Sequence, residues 1–210
     1  MGAKDKNIPA QRADEFGIGS AWTWVAIDAD TKLICSWLVG KRDPGCATEF
    51  VQDLPGRLAN RVQLTTDGLK IYLTAVQDGF GEDIDYAVLV KVYGNDPEGE
   101  KRYSPAVCTG CRKQNKIGDP DPKHISASYV ERQNLTMRMG VRRFTRLTNA
   151  FSKKLENHVA AIALHYMHYN FCRIHQSLRV TPAMEAGVSD HVWSMAELVQ
   201  LLNNAKNTDL

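Results

Sequence analysis

A chain of 210 residues with 43% apolar side chains can form one generous domain or two small ones, which excludes a fibrous or disordered protein. The formal net charge of +2 is unevenly spread: Glu131 to Lys154 carries seven basic residues against one acid, leaving the remainder at −4, so either a localised polyanion site or a solvated helix face is expected there. No basic segment followed by an apolar run opens the chain, no eighteen apolar residues stand together, and five cysteines lack the even, close spacing of a disulfide framework, so a cytoplasmic protein with free thiols and no membrane span is expected.

Residues 1–20 have no apolar period and read as a loop or frayed terminus. From Trp22 to Gly40, two β-rich runs flank Asp28, Ala29, Asp30 and Thr31, which is the chemistry of a hairpin turn. Phe50, Val51, Leu54 and Leu58 have helical spacing and predict a helix over Ala47 to Leu58, with Pro55 as a point of shortening or bending. A short strand is expected over Val62 to Asp67, a brief helix to about Val76, and a strand ending at Gly94. Asn95 to His124, rich in glycine, proline and charge, reads as one long loop of the kind that carries function. Helices are expected from before Glu131 to about Arg146, from Lys153 to about Tyr169, and over Ser194 to Leu202. This order describes an α/β domain over residues 21–187, a mixed sheet flanked by helices, with a helical tail over 188–210.

Two carboxylates stand out. Asp67 ends an apolar strand and precedes Gly68, and ligands gather at strand ends in such sheets. Glu131 heads a helix otherwise almost free of acids, with Asn134 and Arg138 on the same face. Phosphoryl transfer accounts for this pairing, because carboxylates hold Mg²⁺ or Mn²⁺ while neighbouring cations bind flanking phosphates. The structural alternative is an Asp-Gly turn and an acid favoured by the helix dipole.

The strings TTDGLKIY, SYVERQNLTMRMGVRRFTRLTNAFSKKLENH and HYNFCRIHQSLRVTPAMEAG together resemble DDE-type transposases of bacterial insertion sequences. That resemblance implies a ribonuclease-H-like fold, three carboxylates binding Mg²⁺ or Mn²⁺, cleavage and strand transfer of DNA, and self-association, with neither a membrane nor a small-molecule substrate involved. By matching position, Asp67 is similar to the family's second carboxylate and Glu131 to its glutamate. Tyr169, Asn170, Arg173, His175, Leu178, Thr181 and Pro182 resemble a C-terminal family segment expected beside the active site and touching DNA. Asp28 is the candidate for the remaining carboxylate. Only two strands precede Ala47, however, where the family has three, so the hairpin resembles the second and third strands. The first strand, its Asp and any upstream DNA-binding domain are then expected to be missing. The alternative function is an inactive remnant that binds DNA or an intact transposase, and a third is a nuclease of the same fold.

Arg138, Arg142 and Arg146 recur every fourth residue and predict a stripe of phosphate contacts, to which Arg143, Lys153 and Lys154 add charge. Cys108 and Cys111 with His124 supply too few ligands for a tetrahedral zinc. His165, His168, Cys172 and His175 lie near one helical face, yet their outer pair would stand roughly 15 Å apart, too far to share an ion. Tyr166, Tyr169 and Phe171 read as core or interface aromatics, with stacking on DNA as the alternative.

Overall fold

The computed structural model describes residues 8, 9, 11, 19–94, 108–145, 152 and 154–208, without the side chains of 202–208. It is a mixed α/β fold whose chain divides into two compact units, Met1–Lys41 with Tyr129–Leu210, and Arg42–Ser128.

In the first unit, β1 (Trp22–Ile27) and β2 (Ile34–Gly40) pair antiparallel, with Val25 opposite Trp37 and Thr23 opposite Val39. These β-branched and aromatic residues suit a pleated surface with one face covered. Val25, Ile27, Trp37 and Val39 pack on a buried cluster of Ile34, Met137, Ile162, Tyr166 and Tyr169. Met137 belongs to α3 (Ser128–Gly140), and Ile162 and Tyr166 to α4 (Leu155–Met167). Helix α4 runs into a π-helical turn, His168–Cys172, which buries Tyr169 and Asn170. A short helix, α5 (Pro182–Glu185), starts at Thr181, whose side chain accepts from the Met184 N–H, with Pro182 in the first turn. The last helix, α6 (Met195–Thr208), opens on a capping box: Ser194 donates to Glu197 Oε2 from both its backbone N and Oγ, and the Glu197 N–H returns a bond to Ser194 Oγ.

In the second unit, β3 (Gln63–Asp67) pairs parallel with β4 (Asp85–Tyr93), and β4 pairs antiparallel with β5 (Cys108–Ile117). The parallel pair needs a crossover, supplied by α2 (Ile71–Phe80). Helix α1 (Pro44–Gln52) is started by Asp43, whose Oδ1 accepts from Cys46 N at 2.9 Å, and by Pro44. Phe50 and Val51 of α1 and Ala75 and Val76 of α2 are buried.

Several expectations need correction. The loop expected over Asn95 to His124 contains β5. Nearly all of β5 is exposed and polar, so it lacks the alternation that marks a half-buried strand, and its ladder with β4 sets its conformation. Residues 95–107 lie outside the described residues. The first expected helix at Ala47 to Leu58 stops at Gln52, and Pro55 opens a separate 3-10 turn, Pro55–Arg57. The helix through Glu131 ends at Gly140 rather than near Arg146. A β-carbon on Gly140 would stand 3.2 Å from His165 Cε1, so glycine lets α3 finish close against α4, and Val141 then turns extended. The last helix runs on to Thr208, past the expected Leu202.

Candidate functional site

Strand β3 delivers Asp67 as its final residue, exposed, at the C-terminal end of the parallel pair. Its Oδ1 accepts from Leu69 N at 3.0 Å, and among the described residues its Oδ2 makes no hydrogen bond. Gly68 packs closely on β4: a β-carbon there would stand 3.3 Å from Val90 Cγ2, a tight contact. Two phenols lie in the field of the Asp67 carboxylate. Burial, and then Asp67, push Tyr72 well above the ordinary tyrosine value. Burial also raises Tyr86, while its bond with Thr66, 2.7 Å from hydroxyl to hydroxyl, acts in the opposite direction. Both therefore stay neutral near Asp67 at physiological pH. Asp67 is thus a fixed carboxylate with one oxygen available as a hard donor.

Glu131 belongs to the other unit. It sits exposed in the first turn of α3, ahead of Arg132 and Arg138, which are exposed too. Asp28 is committed differently. Its Oδ1 accepts from Asp30 N at 3.2 Å, and its Oδ2 accepts from Thr31 N at 3.2 Å and Thr31 Oγ1 at 2.5 Å. That carboxylate closes the β1–β2 loop as an Asx turn. Among the described residues no three His, Cys, Asp or Glu side chains are grouped to hold a metal. The carboxylate oxygens of Asp67, Glu131 and Asp28 each have the right chemistry for Mg²⁺ or Mn²⁺, and those of Asp28 are already held in its turn.

No family model, curated protein or solved structure matches this chain.

The expected arginine stripe is not a helical one. Arg138 stands in the last turn of α3, while Arg142 and Arg143 follow in a 3-10 turn, Arg142–Phe144. Arg146 and Lys153 lie outside the described residues. Arg143 donates to Ser152 Oγ at 2.6 Å and to the Asn157 carbonyl at 2.7 Å, which ties the approach to α4. Lys154 is exposed at the start of α4. Arg173 is exposed and His175 half-buried in the loop after the π-helical turn.

Cys108 and Cys111 are exposed on β5, where a register shift between them sets Cys108 opposite Tyr93 and Cys111 opposite Lys91, two residues on one face of β4. His124 stands 3.7 Å from Asp121. His165 is partly buried against Tyr166, whereas His168 and Cys172 fall in the π-helical turn. Burial, then His168 and Arg173, lower the His165 value.

Sequence reasoning missed Lys32 and left Arg132 without a role of its own. The ammonium of Lys32 lies 4.3 Å from the Tyr129 ring centroid. Only the fold brings the hairpin loop to α3, so no spacing rule along the chain reveals that contact. It also missed what Asn170 does: the side chain accepts from Ile34 N and donates to Ile34 O, both at 3.0 Å.

Proposed function

We propose that this chain is the catalytic region of a DDE-type transposase with a ribonuclease-H-like fold, acting on DNA. The observation that carries this reading is Asp67, an exposed carboxylate at the C-terminal end of a parallel strand, with one oxygen uncommitted among the described residues. Asp67 and Glu131 are the residues assigned to hold Mg²⁺ or Mn²⁺, and a bound divalent ion would supply charge stabilisation for an attacking and a leaving oxygen. Arg138, Arg142, Lys154, Arg173 and His175 are assigned to phosphates. The mixed α/β class, with an antiparallel β1–β2 hairpin and a parallel β3–β4 pair joined by a helix, is compatible with the ribonuclease-H-like reading.

A second reading is favoured by Asp28. Three hydrogen bonds hold its carboxylate within its own loop, so Asp28 is not offered as the third carboxylate that such chemistry uses. On this reading the chain by itself binds DNA without joining strands. The test incubates the chain, in Mg²⁺ or Mn²⁺, with a plasmid carrying its gene and flanking DNA. Under the second reading, DNA is bound with a steep salt dependence and no strand is joined. Joining that disappears in Asp67→Asn, Glu131→Gln and Asp28→Asn establishes the full transposase and gives Asp28 the third position. Absence of both DNA binding and divalent-cation binding sinks both readings.

A further inference from the structure

Side chains of one strand can react with each other only if they share a face, and unbroken β-structure puts residues three apart on opposite faces. Strand β5 departs from that rule at its start. It takes three steps from Cys108 to Cys111 while β4 takes two, from Tyr93 to Lys91, so Thr109 is the extra residue of a β-bulge. The Thr109 hydroxyl donates to the Val92 carbonyl at 3.2 Å, which pins the bulge to β4. Cys108 and Cys111 therefore leave the same face of the sheet. Two strand residues of rise put their α-carbons roughly 6.6 Å apart, inside the range of about 4.4–6.8 Å that disulfides span.

The face they share is covered only in part. Ala87 and Leu89 lie on it ahead of Lys91 and Tyr93, and they pack with Ile125. Beyond them Tyr93 is 56% exposed, and both thiols are free and exposed, whereas Cys35, Cys46 and Cys172 are half-buried. The Cys108 thiol folds along the strand toward its neighbour: its Sγ donates at 3.3 Å to the carbonyl of Gly110, the residue before Cys111. Gly110, without a side chain, lets the backbone between the two cysteines adjust as their sulfurs approach.

We propose that Cys108 and Cys111 are a thiol–disulfide exchange site, which closes an internal disulfide across the bulge on meeting a small-molecule disulfide of the glutathione type. The Cys111 thiolate attacks one sulfur of the small disulfide, whose S–S bond breaks to give a mixed disulfide and one small thiolate. That thiolate takes up the proton lost from Cys111. Cys108, held toward Gly110, then attacks the Cys111 sulfur and expels the second small thiol, which receives the Cys108 proton. The two protein thiols are oxidised by two electrons, and the small disulfide is reduced to two thiols. The site is independent of the DNA reading.

The experiment equilibrates the folded full chain with oxidised and reduced glutathione in graded ratios, quenches with acid and alkylates the remaining thiols. Trypsin releases Tyr103–Arg112, which contains both cysteines and no others, so mass spectrometry reads the pair directly. In oxidising mixtures this peptide is expected to lose two hydrogens and both labels together, and to regain them in reducing ones, while Cys35, Cys46 and Cys172 stay labelled. In Cys108→Ser and in Cys111→Ser, checked by circular dichroism to be folded, the remaining thiol should carry glutathione, because no second thiol expels it. Full labelling of the native pair in the most oxidising mixture overturns the proposal. So does stable glutathione on both native cysteines, or a disulfide between two chains. Closure in the urea-unfolded chain but not in the folded one also overturns it, since the bulge then holds the thiols apart.

Discussion

Asn170 holds both backbone polar groups of Ile34, a residue 136 positions earlier, through two 3.0 Å hydrogen bonds. The amide acts as a one-residue substitute for a neighbouring strand at the start of β2, and the π-helical turn brings it there. Both partners are buried, so the pair fixes the hairpin to the helical layer where water cannot compensate for its loss.

Asn170→Ala should therefore destabilise the protein by about 2–4 kcal/mol, since it leaves a buried N–H and a buried C=O unpaired. Asn170→Asp should be no better, because it removes the donor that the Ile34 carbonyl needs. Urea unfolding of the two variants tests this, and an unchanged midpoint in Asn170→Ala would show that the bonds contribute nothing net.

Asp28 and Asp67 should respond in opposite ways to the same change. Asp28→Asn replaces the oxygen that accepts from Thr31 N and Thr31 Oγ1 with an amide, and should lower stability by about 1 kcal/mol. Asp67→Asn keeps an acceptor for Leu69 N and should leave stability almost unchanged while weakening Mn²⁺ binding, read by proton relaxation enhancement. Asp28→Asn that weakens Mn²⁺ binding without destabilising would reverse the roles given to the two residues.

Arg143 belongs to the basic segment, yet its bonds to Ser152 and Asn157 make it a structural tie. Arg143→Ala is expected to cost about 1–2 kcal/mol of stability and to change the salt slope of DNA binding less than Arg138→Ala does. Removal of Arg143 also relieves one of the influences, after burial, that hold His158 below its ordinary value, so the imidazole resonance of His158 should titrate at higher pH. A salt slope that changes more for Arg143 than for Arg138 would put Arg143 on the phosphates.

His191 bridges two acids, with Nδ1 2.6 Å from Asp190 Oδ1 and Nε2 2.8 Å from Glu197 Oε1, beside the capping box of α6. Both ring nitrogens can donate only when the imidazole is charged, and the two carboxylates raise its value. Its stabilising effect is fully present below its unfolded value, about 6.5, and is lost as pH rises through the higher folded one. Glu197 behaves oppositely. Its bonds to Ser194 and then to His191 pull it down to about 2, so its contribution is full above its unfolded value and lost as pH falls toward 2. The α6 cap should be strongest between about pH 4.5 and 6.5. His191→Ala should flatten the alkaline side of a stability–pH profile; an unaltered alkaline limb excludes the bridge as its cause.

Local chemistry made much of the fold legible. The hairpin followed from two β-branched and aromatic runs around Asp28–Thr31, and the structure places β1 and β2 there. Strand β3 ending at Asp67 was readable because an apolar run stops at an Asp-Gly pair, and Glu131 was placed in a first helical turn by spacing alone. These features depend on neighbours within a few residues, which is the range over which backbone sterics and side-chain periodicity act. Strand β5 was not legible, because almost every residue in it is exposed and nothing alternates; its conformation comes from hydrogen bonds to β4.

The sequence by itself determined the class of the fold, the strand end that carries Asp67 and the local concentration of positive charge. It did not determine which charges remain available. Arg143 is committed to Ser152 and Asn157, Asp28 to its own loop, and Lys32 to Tyr129, while Arg132 and Arg173 make no hydrogen bond or ion pair among the described residues. Tertiary structure decided that division, because a hydrogen bond or a cation–π contact depends on distances of a few ångströms between segments that spacing along the chain does not encode.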